Sequence, residues 1–208
     1  MNIEKYLVIN KYLLSLFGIS DFKDLQEKLK DAPVDFDSDG RSHFVNILRS
    51  SFEKLRKDIL PEETLLRYDE NIQYYVRKIN FKREPVSLKY FQYLAVLFAE
   101  MGLDNLKNRK IEFLYDLNDF LETYKQEQDT ELIDEFTEED LNKLAFWMAT
   151  GSGKTLITHI NYHQFFNYKL FSPDNIILIT PNEGLSKQHF DELQKSGIPC
   201  RLYEGELS

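Results

Sequence analysis

The sequence predicts an α/β protein, in which an all-helical N-terminal segment is followed by an incomplete three-layer α/β domain with a parallel sheet. Two observations lead to this prediction. Apolar residues recur at the spacing of a helix face from residue 6 to about residue 85. Farther along, the apolar runs at residues 145–148 and 176–180 lie on either side of a glycine-rich loop and a helical stretch, which is the spacing of a βαβ unit. A parallel sheet that contains both runs is therefore expected.

Four helices are predicted before the first break in this pattern. The first covers residues 6–17 and ends at Gly18, because glycine readily adopts the left-handed conformation that closes a helix. Asp21, Ser42 and Pro61 mark the starts of the next three. Aspartate and serine side chains accept hydrogen bonds from the first free backbone N–H groups, and proline has no N–H to lose there. With residues 33–40 expected to form a loop, the N-terminal segment is thus predicted to contain helices as its only regular elements.

Residues 82–87 interrupt the helical pattern and predict a domain boundary, with a helical extension over residues 1–85 and a second domain over residues 86–208. The second domain is expected to open with a helix that begins at Ser87 or Leu88.

Three further helices are predicted in the second domain from the spacing of apolar residues. They cover residues 111–124, the stretch from the glycine loop to about residue 168, and residues 185–193. The acidic residues 126–140 are expected to form a solvated linker, because repelling carboxylates have no reason to pack together.

Composition describes an ordinary globular chain and limits its environment. The 208 residues are 42% hydrophobic, and no apolar run approaches the roughly 18 residues that a membrane span needs. A single cysteine, Cys200, excludes an internal disulfide, and the first residues carry no export signal, so a cytoplasmic location is expected. The net charge of −9 gives no support to nucleic-acid binding, although a large protein can confine positive charge to one groove.

The glycine-rich loop predicts a site for ATP and Mg²⁺. Two glycines let the backbone turn without Cβ clashes, so that successive N–H groups and the start of the next helix can face phosphate oxygens. Lys154 would reach the β- and γ-phosphates and serve as the catalytic cation, and the Thr155 hydroxyl would help to hold Mg²⁺. Met148 stands where the strict pattern has glycine. The predicted nucleotide-binding residues of the loop are Thr150, Gly151, Ser152, Gly153, Lys154 and Thr155.

Three stretches, residues 88–92, 148–155 and 180–188, occur in an order that is typical of a known family. The first is similar to an adenine-recognising element, with Lys89 where arginine is more usual. The second is similar to helicase motif I in its restriction-enzyme form, where methionine commonly replaces the first glycine, and the third to motif Ia. Together they resemble superfamily 2 helicases and translocases, in particular the DEAD/DEAH-box-like motor subunits of type III restriction enzymes. The resemblance extends from about residue 88 to the end of the sequence.

This resemblance implies a RecA-like ATP-binding domain within an ATP-dependent DNA helicase or translocase of a bacterial restriction or phage-defence system. It makes Gln92 the partner of adenine. Because Gln92 and Lys154 are farther apart than in compact helicases, residues 103–142 are expected to be an insertion. The residues expected to contact the nucleic-acid backbone are Pro181, Asn182, Lys187 and Gln188.

The implied partners are DNA, double-stranded or partly unwound, and a nuclease or methyltransferase subunit. The sequence ends before any strand with an Asp-Glu pair. It is therefore expected to be the N-terminal portion of a larger ATP hydrolase and to be inactive by itself.

Two alternatives stay open at this point. A small-molecule P-loop kinase would use the same loop to phosphorylate a metabolite, and a truncated, non-catalytic interaction module would keep only the protein-binding helices. The stretch after residue 180 and the long helical extension favour the motor over the kinase, which has no need of either.

His159 and His163 are four residues apart on the helix after the glycine loop, a spacing that can hold zinc. The glutamate that accompanies the first histidine in metalloproteases is missing, and no third ligand is indicated. The pair is therefore interpreted as two ordinary histidines at the surface of the helix or at an interface.

Overall fold

The structure, a computed structural model, describes residues 6–51, 55–128 and 133–203. Its regular elements in these ranges are eight α-helices and a short 3-10 helix at Asp140–Asn142. The helices are α1 (Val8–Ser15), α2 (Phe22–Leu29), α3 (His43–Ser51), α4 (Glu62–Ile79), α5 (Tyr90–Asn108), α6 (Lys110–Gln128), α7 (Lys154–Tyr168) and α8 (Glu183–Lys195).

The predicted helix starts in the N-terminal segment are confirmed by the hydrogen bonds found there. Asp21 accepts a bond from the backbone N–H of Lys23 at the start of α2. The Ser42 hydroxyl accepts a bond from the N–H of Val45 at 3.1 Å at the start of α3. Pro61 directly precedes α4. The Asp21 and Ser42 side chains each pair with a backbone N–H of the first helical turn, and Pro61 has no N–H that needs a partner. Residues next to each helix start therefore determine where these helices begin.

Helix α5 is the centre of the molecule and packs against α2, α4, α6 and α7. Its sequence is apolar on nearly every side over the first three turns, and a helix of that kind is stable only when neighbours cover it all round. The predicted start at Ser87 or Leu88 is two to three residues early, because Lys89 is the N-cap residue.

The largest apolar cluster draws on helices from both sides of residue 85. Leu65 of α4, Leu97 of α5 and Ile160 of α7 are all fully buried within it. The division of the chain at residue 85 remains a prediction. Among the described helices, none combines the length and the apolar character that crossing a bilayer would require.

The predicted parallel sheet is wrong: the described residues form an all-helical fold without a strand ladder, and their single β-bridge joins Phe36 to Ser42. Residues 145–148 and 176–180 have no regular structure. Trp147 is 79% exposed and Ile179 is 86% exposed. A strand persists only when neighbouring strands pair its N–H and C=O groups and other elements cover its apolar side chains. Neither run has such neighbours among the described residues.

A buried carboxyl group joins the three central helices. Glu100 of α5 is fully buried, and burial raises the pKa of its carboxyl group. Its oxygens accept hydrogen bonds from both flanking helices, so the charge or dipole of this group is compensated locally. The donors are Asn71 Nδ2 at 2.8 Å and Tyr75 Oη at 3.2 Å on α4, with Gln164 Nε2 at 2.6 Å and Tyr168 Oη at 2.8 Å on α7.

We expect Glu100→Ala to lower the free energy of unfolding by about 2–4 kcal/mol, because it leaves several buried donors without an acceptor. Urea denaturation followed by circular dichroism measures the change. The matched control is Glu112→Ala on α6, where the side chain is exposed, and its effect should stay within about 0.5 kcal/mol. Equal stability of the two variants would contradict this role of Glu100.

Candidate functional site

The glycine-rich loop turns the chain directly into α7. Gly151 has φ 77° and Gly153 has φ 87°, both in the left-handed region that residues with a Cβ rarely adopt. Helix α7 begins at Lys154, and Gly153 offers no side chain to cap it. The first N–H groups of α7 therefore remain available beside the loop, an arrangement that favours an anion.

Ser152 places an unpaired oxygen in the same loop. Its backbone N–H donates to the Ala149 carbonyl at 3.2 Å, which closes the turn. Its hydroxyl oxygen is buried and has no hydrogen-bond partner among the described residues. A buried hydroxyl without a partner is costly, so a ligand atom or a water molecule at this position would be favourable.

Lys154 folds back over the loop. Its ammonium group donates to the carbonyl oxygens of Met148 at 3.1 Å and Ala149 at 3.0 Å. The side chain is exposed, and its acceptors are neutral, so an anionic oxygen would be a stronger partner. Thr155 is half-buried in the first turn of α7, and Thr150 is exposed directly before Gly151. The loop residues predicted from the sequence thus lie together around the start of α7.

Gln92 is brought against this loop by α5. Its Oε1 accepts the Lys89 N–H at 2.9 Å, and its Nε2 donates to the Ser152 carbonyl at 2.9 Å. A Cβ built on Gly153 would be 2.4 Å from that Nε2. Both ends of the carboxamide are therefore engaged by backbone groups, and a side chain at residue 153 would require the carboxamide to move. The adenine role of Gln92 stays a prediction.

The stretch predicted to contact nucleic acid forms the start of α8. Asn182 is its N-cap, and its Oδ1 accepts the Leu185 N–H at 3.0 Å. Lys187 is paired with Glu183 at 2.7 Å, but both side chains are exposed, so this pair contributes little to stability. Pro181 and Gln188 are exposed as well. These residues share one accessible helix end, separate from the glycine loop in the sequence.

Of the two positions expected for His159, the surface of the helix or an interface, the structure shows the interface. It is 1% exposed, and its Nδ1 is 2.7 Å from the Ser196 hydroxyl oxygen after α8. Burial, followed by the nearby charge of Arg83, lowers its pKa from the ordinary 6.5 to about 4. No spacing rule reveals this burial, because it depends on how α8 packs. Across the described ranges, no three His, Cys, Asp or Glu side chains are grouped so that they could hold a metal ion.

One known protein family matches a region of the chain that includes the glycine loop. Residues 118–207 match the family described as type III restriction enzyme, res subunit. The predicted resemblance is confirmed. This match supports an ATP-dependent helicase type of function, and it includes the glycine loop and the start of α8 but not Gln92. Searches of curated proteins and of solved structures found no match.

Replacing Gly153 with alanine tests the close contact with Gln92. The variant must hold a Cβ at positive φ and displace the Gln92 carboxamide, so we expect a loss of about 1–3 kcal/mol in the free energy of unfolding. The measurement is urea denaturation.

Gly102→Ala is the matched control for this variant, because its added Cβ would meet no atom of another part of the protein within 4 Å and the site is inside α5. That change should stabilise the protein by about 0.5–1 kcal/mol through helix propensity. If Gly153→Ala stabilised the protein as Gly102→Ala does, the contact with Gln92 would be refuted.

The depressed pKa of His159 predicts a dependence of stability on pH. Between pH 6.5 and about 4 the unfolded chain binds a proton at this residue and the folded chain does not. Stability should therefore fall as pH decreases through that window, by about 3 kcal/mol in total, and should not change for this reason above it.

Urea denaturation of the wild type and of His159→Asn at pH 8 and pH 5 isolates this contribution. The difference in stability between the two pH values should shrink in His159→Asn and persist in His43→Asn, whose imidazole lies 3.2 Å from Asp35. An unchanged difference in His159→Asn would mean that the histidine is not held neutral by burial.

Proposed function

We propose that this chain binds ATP and Mg²⁺ through the glycine-rich loop and belongs to the motor of an ATP-dependent DNA translocase or helicase in a bacterial restriction or phage-defence system. The observation that carries the proposal is the loop with two left-handed glycines that leads into the uncapped start of α7, inside the region of the family match. That combination supplies N–H groups, a cation and a hydroxyl where a nucleotide's phosphates would lie.

Each residue of the loop has a separate task in this proposal. The backbone of Thr150, Gly151, Ser152 and Gly153 surrounds the phosphates. Lys154 exchanges its two carbonyl acceptors for β- and γ-phosphate oxygens, and the charge it places there stabilises the transferring phosphoryl group. Thr155 would hold Mg²⁺, which neutralises phosphate charge when bound.

Gln92 has two tasks in the proposal. The first is the hydrogen bond that it already makes to the Ser152 carbonyl, which holds the loop in its turned shape. The second is recognition of adenine, for which its carboxamide would present one donor and one acceptor to the base edge. Because both ends are bonded to backbone, adenine recognition requires at least one of these bonds to be exchanged.

The DNA-binding part of the proposal depends on the start of α8. Pro181, Asn182, Lys187 and Gln188 would contact the sugar-phosphate backbone of double-stranded or partly unwound DNA, with Lys187 leaving its weak pair with Glu183. Contacts of this kind position a protein on DNA without reading its sequence. A nuclease or methyltransferase subunit would supply the chemistry on DNA.

The family match favours a motor over a small-molecule kinase, because the matched region continues through the start of α8. A non-catalytic interaction module would keep the helices and lack nucleotide affinity. The motor and the interaction module therefore differ in one measurable property, the affinity for ATP.

We expect Lys154→Ala to weaken the binding of ATP·Mg²⁺ by about 10- to 100-fold, because a hydrogen bond to a charged group contributes about 1.5–3 kcal/mol. Isothermal titration calorimetry measures the affinity, and circular dichroism should show the same helix content as in the wild type. Lys143→Ala is the matched control, since this lysine is exposed and lies outside the loop. Equal ATP affinity in all three proteins would contradict the role of Lys154, and no ATP binding by the wild type would favour the interaction module.

A further inference from the structure

Helix α8 differs from the central helices in how it is held. None of its residues is buried, whereas α5 and α7 bury apolar side chains in the core. Apolar contacts between α8 and the rest of the protein therefore contribute little to its position, since the stabilisation from such contacts scales with the apolar area that is buried. Contacts at its C-terminal end must carry more of this task.

Arg83 makes those contacts from the segment between α4 and α5. Its Nη2 donates to the backbone oxygen of Glu192 at 2.9 Å, to the Glu192 carboxylate at 3.2 Å and to the Ser196 hydroxyl at 2.7 Å. The Arg83 side chain is only 14% exposed, so these charged bonds are shielded from solvent and are stronger than surface pairs.

Ser196 continues the connection to α7. It is 1% exposed and lies 2.7 Å from His159 Nδ1, and His159 is five residues after Lys154 on α7. Ile198, which is 4% exposed, adds an apolar anchor directly after the turn at Gly197. The C-terminal end of α8 is thus attached to the helix of the glycine loop, while its N-terminal end, which starts after Asn182, is exposed.

We propose that Arg83 is a positioning residue that sets the orientation of α8 relative to α7 through Ser196 and His159. The polar junction of Arg83, Glu192, Ser196 and His159 acts as the fixed end of α8, and the opposite end presents the stretch from Pro181 to Gln188. The consequence for DNA rests on the proposed function, whereas the positioning itself does not. A helix held by a few polar contacts opens at a lower free energy than the core, which makes the proposal measurable.

Hydrogen–deuterium exchange of the full 208-residue chain tests the positioning directly. Arg83→Ala should speed exchange across residues 183–195 by about tenfold or more, while residues 90–108 of α5 keep their wild-type rates. Ser196→Ala should act on the same residues, and the double variant should add little to the larger single effect, because both changes break one junction. Arg83→Lys should give an intermediate effect, since an ammonium lacks the planar fork of the guanidinium.

Arg77→Ala is the matched control: it removes an exposed arginine from the adjacent end of α4 and should leave the exchange of α8 unchanged. Unchanged exchange of α8 in Arg83→Ala would overturn the proposal. Faster exchange throughout the chain would also overturn it, because Arg83 would then support the fold as a whole.

Fluorescence anisotropy with a labelled duplex DNA separates this proposal from the proposed function. Arg83→Ala should weaken DNA binding severalfold without altering ATP affinity, and Lys187→Ala should weaken it without altering the exchange of α8. If Lys187→Ala and Arg83→Ala both left DNA affinity unchanged while Arg83→Ala still released α8, the DNA contact would fail and the positioning role would stand. If Lys187→Ala weakened DNA binding and Arg83→Ala did not, the orientation set by Arg83 would be irrelevant to DNA.

Discussion

The carboxamide of Gln92 occupies the space beside Gly153 that a side chain would otherwise fill, and the rest of the candidate site depends on this contact. Its Nε2 holds the Ser152 carbonyl at 2.9 Å, and its Oε1 holds the Lys89 N–H at 2.9 Å. One side chain therefore caps the central helix α5 and restrains the glycine loop. Because α5 is buried on nearly every side, the loop is fixed to the most rigid part of the molecule. A loop held in shape before a ligand arrives loses less entropy on binding.

Buried polar groups organise the helices around that contact. Glu100 joins α4, α5 and α7, and Asp69 accepts hydrogen bonds from Ser42 and from Tyr93 Oη at 2.8 Å. Such groups are tolerated in a core only when they are paired, and pairing requires specific helix positions. They therefore make the arrangement of α4, α5 and α7 more specific than apolar packing alone would. Helix α8 lacks buried side chains and is attached through Arg83 and Ser196, so it is held mainly by polar contacts, whereas α5 and α7 are also held by buried apolar side chains.

Local chemistry explains which features could be predicted from the sequence. The caps at Asp21 and Ser42 act within three residues, and the two glycines of the loop require only their own backbone conformation, so both were readable. The predicted strands at residues 145–148 and 176–180 are wrong, because an apolar run becomes a strand only beside other strands, and the described residues provide none. The hydrogen bond between Gln92 and Ser152 joins residues that are 60 positions apart, and the sequence does not predict it, since the family resemblance assigns Gln92 only a role in adenine recognition. Burial of His159 depends on the packing of α8, which no periodicity encodes.

In the proposed function, the restrained glycine loop receives the phosphates of a nucleotide. Two-dimensional ¹H–¹⁵N NMR tests it most directly, because the backbone amides of Gly151, Ser152 and Gly153 and the side-chain amide of Gln92 each give a separate signal. Titration with ATP·Mg²⁺, with inorganic tripolyphosphate·Mg²⁺ and with AMP compares ligands that do and do not carry the β- and γ-phosphates. The account predicts saturable shifts of the loop amides and of the Gln92 side chain with ATP and tripolyphosphate, and much smaller shifts with AMP. Shifts confined to other parts of the chain, or equal shifts with AMP, would contradict it.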